Sequence, residues 1–248
     1  MKCILCKMCE TAKAALDKKI ISWTDAQTNE TVIWEREADQ ERIHFAHSLL
    51  SDDPTQSLQE YLALAEQGSL WSLVRVAAAF ASGTGTPVDP AQAEKWYRRA
   101  YEGGSDVGLL RLGHHYLRSR QYTKAEEVFR TGTERGLAPA MSRLAWTYSK
   151  SAHWSQKREE ALTLLERGAA AGDLYARLFL ARTMTRGWFG LRRIPRGIRL
   201  SSRVADDLFE LVKGEEPAAP KRSGNVQLGF FSYLARLWLL RAIRIPAS

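Results

Sequence analysis

Four glycines, Gly68, Gly104, Gly136 and Gly172, each close an Ala/Glu/Arg-rich run, and they stand 36, 32 and 36 residues apart. A chain that repeats itself at this interval folds as a stack of like supersecondary units, each burying its apolar face against the next, so the period restricts the fold before any residue is read singly. The register also holds inside the units. Val76, Leu112, Leu144 and Leu180 are equivalent, as are Phe80, Tyr116, Tyr148 and Met184, and the small residues Ser72, Gly108, Ala140 and Ala176.

Each unit reads as two helices. From Leu70 to Ser82, apolar residues at Leu73, Val76, Ala77 and Phe80 form the stripe of a helix that buries one face. Gly83-Thr84-Gly85-Thr86-Pro87 breaks it. Asp89 before Pro90 is the pattern of an N-cap followed by a proline at the first helical position, where a missing N–H costs nothing. Ala93, Trp96, Tyr97 and Ala100 give the stripe of the second helix, and Gly103-Gly104 its left-handed cap.

The string Gly83-x-Gly85-x-x-x-Asp89-x-x-x-Ala93-x-x-Trp96-Tyr97-x-x-Ala100-x-x-x-Gly104 resembles the Sel1-like repeat, an α/α relative of the tetratricopeptide repeat found in bacterial adaptor proteins. The resemblance covers roughly residues 54–213. In the unit from Ser105 the loop is shorter, and Val128-Phe129 stand where Trp-Tyr would. The expected fold is all-α: a solenoid of about five antiparallel helix pairs, with an apolar C-terminal helix. The leading pair is expected from about Glu35 to Leu50 and from Pro54 to Gln67, capped by Asp53. The last is expected from about Asp173 to Arg186 and from Pro195 to Lys213. The chain divides into an N-terminal segment 1–34, the solenoid 35–213, a linker 214–225 and an apolar segment 226–248. At 248 residues and 45% hydrophobic composition the chain suffices for one such array.

No apolar stretch of signal-peptide type stands among the first residues, which predicts a cytoplasmic, reducing compartment. The resemblance adds that periplasmic members staple their repeats with cysteine pairs, whereas the repeats here contain none. Cys3-x-x-Cys6-x-x-Cys9 is the single cysteine cluster. Three thiolates at this spacing, with His44 or His47 as a fourth ligand, would suit zinc or part of an iron–sulfur cluster. A structural site normally takes its ligands as two pairs, so the favoured reading is free thiols with no metal and no cofactor.

Charge is segregated along the chain. Residues 1–173 carry 22 Lys/Arg against 23 Asp/Glu, and residues 174–248 carry 14 against 5. Between Leu174 and Arg203 stand eight arginines, among them Arg192, Arg193, Arg196 and Arg199, and no acidic residue. Such a patch meets anions or open water. The apolar stretch that follows, including Phe230, Phe231, Arg236, Trp238 and Arg241, is apolar all round when wound as a helix. Three readings compete for it: a cap over the last repeat, insertion at a membrane interface with the arginines reaching headgroups, or a span that Arg241 makes costly. The arginine patch beside it favours the interface, since a polybasic surface with one hydrophobic segment is a two-signal membrane attachment.

Nucleic acid is the less favoured anion, because the patch carries no helix-turn-helix, zinc-finger or RNA-binding signature, and Trp188 and Phe189 form a thin stacking platform. Catalysis finds no nucleophile elbow, phosphate loop or dinucleotide fingerprint. Binding does find a pattern. One position ahead of Val76, Leu112, Leu144 and Leu180 stand Arg75, Arg111, Arg143 and Phe179; two positions after stand Ala78, His114, Trp146 and Arg182. Equivalent positions form ladders in a solenoid, so Arg75, Arg111, His114, Arg143 and Trp146 are expected on the concave face as a protein-binding surface or, alternatively, as a solvated stripe. The function expected is a non-enzymatic scaffold that binds another protein, held on the cytoplasmic face of the inner membrane by its C-terminal third. A soluble adaptor with the tail as cap, or a metal- or nucleic-acid-binding regulator, are the alternatives.

Overall fold

A computed structural model of the chain describes residues 28–151 and 154–213; the three cysteines, the linker 214–225 and the apolar segment 226–248 lie outside the described residues. Eleven α-helices and no strand occur among them. They are α1 Glu30–Arg36, α2 Gln40–Ser48, α3 Pro54–Glu66, α4 Leu70–Ser82, α5 Pro90–Glu102, α6 Asp106–Arg118, α7 Tyr122–Glu134, α8 Ala138–Tyr148, α9 Trp154–Ala170, α10 Leu174–Thr185 and α11 Ile194–Lys213, with a 3-10 turn at Leu191–Arg193. Helices α2 to α11 form five consecutive pairs, each helix packing chiefly on its neighbours in sequence. The expected solenoid is therefore present.

The repeat period has a backbone cause. Gly68, Gly104, Gly136 and Gly172 all stand at positive φ, between 83° and 97°, the left-handed turn that ends each second helix and is strained for any residue with a Cβ. The starts are set by short polar side chains. Asp53 accepts from the Gln56 amide, Asp89 from Ala91 and Gln92, Ser105 from Gly108, and Asp173 from Tyr175 and Ala176. Caps of this kind each contribute about 1 kcal/mol. The small-residue register marks where a first helix crosses the preceding second helix: a Cβ on Gly108 would lie 2.8 Å from that of Ala100, and one on Gly132 would lie 2.6 Å from that of Ala140. Val76, Leu112 and Leu144 are fully or almost fully buried between pairs, each such side chain stabilising by roughly 1.5–3 kcal/mol.

The leading pair departs from expectation. The single helix expected from about Glu35 to Leu50 is two helices, because Glu37 is extended and Asp39 caps α2 by accepting from the Arg42 amide at 3.0 Å. The Glu37 carboxylate is free to accept from the Trp71 amide at the start of α4, at 2.8 Å. Ahead of α1, Asn29 exchanges hydrogen bonds with Asp106 and donates to the Gly104 carbonyl, so the chain straps the N-terminal ends of α4 and α6 together.

Successive first helices, α4, α6, α8 and α10, touch one another directly, while successive second helices stand further apart. That spacing puts the first helices on the inside of the curve.

Candidate partner-binding face

The two sides of the solenoid differ in charge. Helices α5, α7 and α9 carry eight glutamates, whereas α4, α6, α8 and α10 carry one carboxylate, Asp106, and that one is held at the helix start by Asn29. On the second-helix side a set of charges is paired, and the pairing repeats from unit to unit. Tyr116 Oη donates to Glu94 at 2.8 Å and accepts from Arg98 at 2.6 Å; Tyr148 Oη donates to Glu160 at 2.7 Å and accepts from Arg130 at 3.2 Å. Glu126 accepts from Arg130 at 2.7 Å and from Lys157. Burial and the bond to Glu94 push the Tyr116 hydroxyl up to about 12, and burial with the bond to Glu160 raises Tyr148. Burial pushes the Glu94 and Glu126 carboxyls up, but the hydrogen bonds they receive outweigh it and leave both below the ordinary carboxylate range.

The arginine row of the first helices is set differently. Among the described residues, no carboxylate forms an ion pair with Arg75, Arg111 or Arg143. Arg75 lies over the Trp71 ring at 5.2 Å and Arg143 over the Tyr175 ring at 4.3 Å, cation–π contacts that restrict the two guanidiniums without neutralising them. Arg111 is exposed. The three share one field. Burial raises the Tyr97 hydroxyl while Arg111 and Arg75 both oppose it, and His114 is held well below its ordinary value by burial, then by Arg143 and Arg111. His114 keeps part of its surface open although its ring packs edge-on to Phe129, centroids 6.0 Å apart. Trp146 is half-buried with the Lys150 ammonium 5.2 Å above its ring. Phe179 leaves the ladder: it is buried against Trp188.

At its N-terminal end the arginine row opens into a pocket of about 390 Å³ lined by Thr31, Trp34, Ile43, His44, His47, Trp71 and Arg75. Trp34 meets both His44 and Trp71 edge-on at 5.0 Å. His44 and His47, considered above as metal ligands, thus both face this pocket, and no group of three or more His, Cys, Asp or Glu side chains suited to a metal occurs among the described residues. Sequence reasoning missed the pocket, because α1, which supplies Trp34 and Thr31, lies outside the repeat pattern. It also missed the segregation of carboxylates onto second helices, which is visible once the units are aligned.

The C-terminal arginine patch is divided. Arg193 pairs with Glu159 at 3.0 Å and Arg196 with Glu166 at 2.9 Å, so part of the anion they meet comes from α9. Arg192 and Arg199 are exposed and sit beside the exposed Leu191 and Ile198, seven residues apart in each case. Trp188 and Phe189 pack on Trp154 instead of standing open. Phe230, Phe231, Arg236, Trp238 and Arg241 lie outside the described residues. No helix among the described residues is long and apolar enough to cross a membrane.

These features define an α-solenoid of helix pairs. Its fold is that of the Sel1-like repeat. The structure is similar to a Sel1 repeat protein from Oxalobacter formigenes, with a TM-score of 0.58 and 18% identity over 83% of this chain and 86% of that one. It is also similar to a protective antigen of uropathogenic Escherichia coli that displays the same fold, with a TM-score of 0.57 and 18% identity. That match covers 82% of this chain and 47% of the antigen, so the chain spans about half the antigen's length. No family model matches the sequence, and no curated protein matches it.

Proposed function

We propose that this protein is a non-enzymatic scaffold that receives a polypeptide partner on its first-helix face. The observation that carries the reading is the row of guanidiniums at Arg75, Arg111 and Arg143, aligned in repeat register, two of them over aromatic rings, with no carboxylate among the described residues forming an ion pair with any of the three, whereas Arg98, Arg130 and Lys157 on the second helices are paired. Arginine and tryptophan at such positions are the side chains that dominate protein interfaces. His114 and Trp146 continue the same surface.

The finer reading is that the scaffold works at the cytoplasmic side of the inner membrane. The exposed stripe of Leu191 and Ile198 beside Arg192 and Arg199 supports it, joined to the apolar sequence 226–245.

Replacing Arg75, Arg111 and Arg143 together by Gln is expected to leave helical circular dichroism and the melting midpoint nearly unchanged and to abolish capture of the partner from native membranes. Retained capture would refute the binding face. For attachment, the intact chain should co-sediment with anionic liposomes, less so at high salt, and Phe231→Glu with Trp238→Glu should release it. Equal sedimentation of the variant would refute the membrane reading.

A further inference from the structure

The arginine row and the aromatic pocket belong to one continuous surface, since Arg75 lines the pocket and begins the row. Resting on the scaffold reading above, we propose that the partner is an acidic segment extended in the polyproline II conformation, with an apolar or aromatic side chain seated in the pocket against Trp34 and Trp71 and carboxylates at every third residue lying against Arg75, Arg111 and Arg143.

The register follows from two spacings. Packed first helices stand roughly 8–10 Å apart, so equivalent arginines repeat at that interval. A chain in the polyproline II conformation rises roughly 3.1 Å per residue and turns once every three residues, so every third side chain faces the row and meets the next arginine. A helical ligand, rising about 1.5 Å per residue, would need a spacing of six or seven and would present few of its groups to the row. Charge selects the sign. Helices α4, α6, α8 and α10 hold six arginines and one carboxylate, Asp106, already taken by Asn29. Arg75 and Arg143 rest over Trp71 and Tyr175, which reduces the freedom lost when a carboxylate engages the guanidinium. The pocket supplies the other half of the recognition. Its walls include two indoles, two imidazoles and Ile43, and its volume of about 390 Å³ is ample to admit one large side chain. The N-terminal 27 residues of the chain itself fit this description poorly, because they carry five lysines against three acidic residues.

The test is fluorescence anisotropy with the full chain at about physiological salt. Two labelled peptides of one composition are compared: a periodic one, Trp-Glu-Ser-Ser-Glu-Ser-Ser-Glu, and one with the three glutamates contiguous and the Trp at the far end. Single-stranded DNA of equal charge is the third probe. The periodic peptide is expected to bind about tenfold more tightly than the contiguous one, and more tightly than the DNA. Arg111→Gln should raise its Kd about tenfold, Arg111→Lys less, and Trp71→Ala should weaken it while leaving the contiguous peptide unaffected. Arg98→Gln, on the opposite side, should have no effect. Equal affinity for the two peptides, tighter binding of the DNA, or indifference to Arg111→Gln would each overturn the proposal. If partner capture is lost in the triple arginine variant yet the two peptides bind alike, this partner class is wrong and the scaffold reading stands; if capture also survives the triple variant, both fail.

Discussion

The two sides of this solenoid use arginine for opposite ends. On the second helices Arg98 and Arg130 are locked to glutamates and to tyrosine hydroxyls that reach across from the first helices, so their charge is satisfied within the fold. On the first helices Arg75 and Arg143 rest on aromatic rings, and among the described residues no carboxylate forms an ion pair with them or with Arg111, although the Asp173 carboxylate feels the field of Arg143. The same residue type at the same period is structural where carboxylates stand opposite and available where they do not. The comparison teaches that repeat register alone does not mark a binding residue; the absence of a neutralising group does.

The largest effect should come from the second-helix side. Phe129 is fully buried, facing Gly113 so closely that a Cβ there would lie 2.5 Å from its ring. Phe129→Ala is expected to cost about 3–5 kcal/mol in urea unfolding. A loss below about 1 kcal/mol would mean that α6 and α7 are not packed as described.

A middle effect should come from the tyrosine network. Tyr148→Phe removes the hydroxyl that joins Arg130 to Glu160 and should cost about 1–2 kcal/mol while leaving partner binding intact. Loss of binding at unchanged stability would erase the distinction between the two sides.

A smaller, pH-dependent effect belongs to the first-helix face. His114 lies well below its ordinary value of 6.5 through burial and the fields of Arg143 and Arg111. The folded chain therefore binds no proton there where the unfolded chain does. Stability is unaffected above about pH 7 and falls below the unfolded value, by up to about 1.4 kcal/mol per pH unit. His115 acts in the same direction, through burial and through Arg118 and Lys124, which outweigh Glu94. His114→Gln should flatten the melting midpoint between pH 6.5 and 5.5, as followed by circular dichroism. An unchanged slope would show that His114 is not held below its ordinary value by burial and the neighbouring arginines.

Much of this was legible in the sequence, for physical reasons. Gly68, Gly104, Gly136 and Gly172 announce left-handed turns because other residues are strained there, and Asp89-Pro90 announces a helix start because the proline has no N–H to lose. The arginine row was legible as register. Its lack of acid partners was not, since pairing depends on which side of the stack a glutamate faces. Helix α1 escaped because it belongs to no repeat, and with it went the Trp34–Trp71 pocket, whose walls are contributed by α1, α2 and α4. The charge run at the C-terminal end suggested a wholly anion-seeking patch, and the pairing of Arg193 with Glu159 and Arg196 with Glu166 arises from contacts 34 and 30 residues away in sequence.

The most direct measurement places a photo-crosslinking amino acid at position 111 or at position 98 of the full-length protein in living cells. The account predicts a discrete adduct from position 111 and none from position 98. An adduct from position 98 with none from position 111 would contradict it.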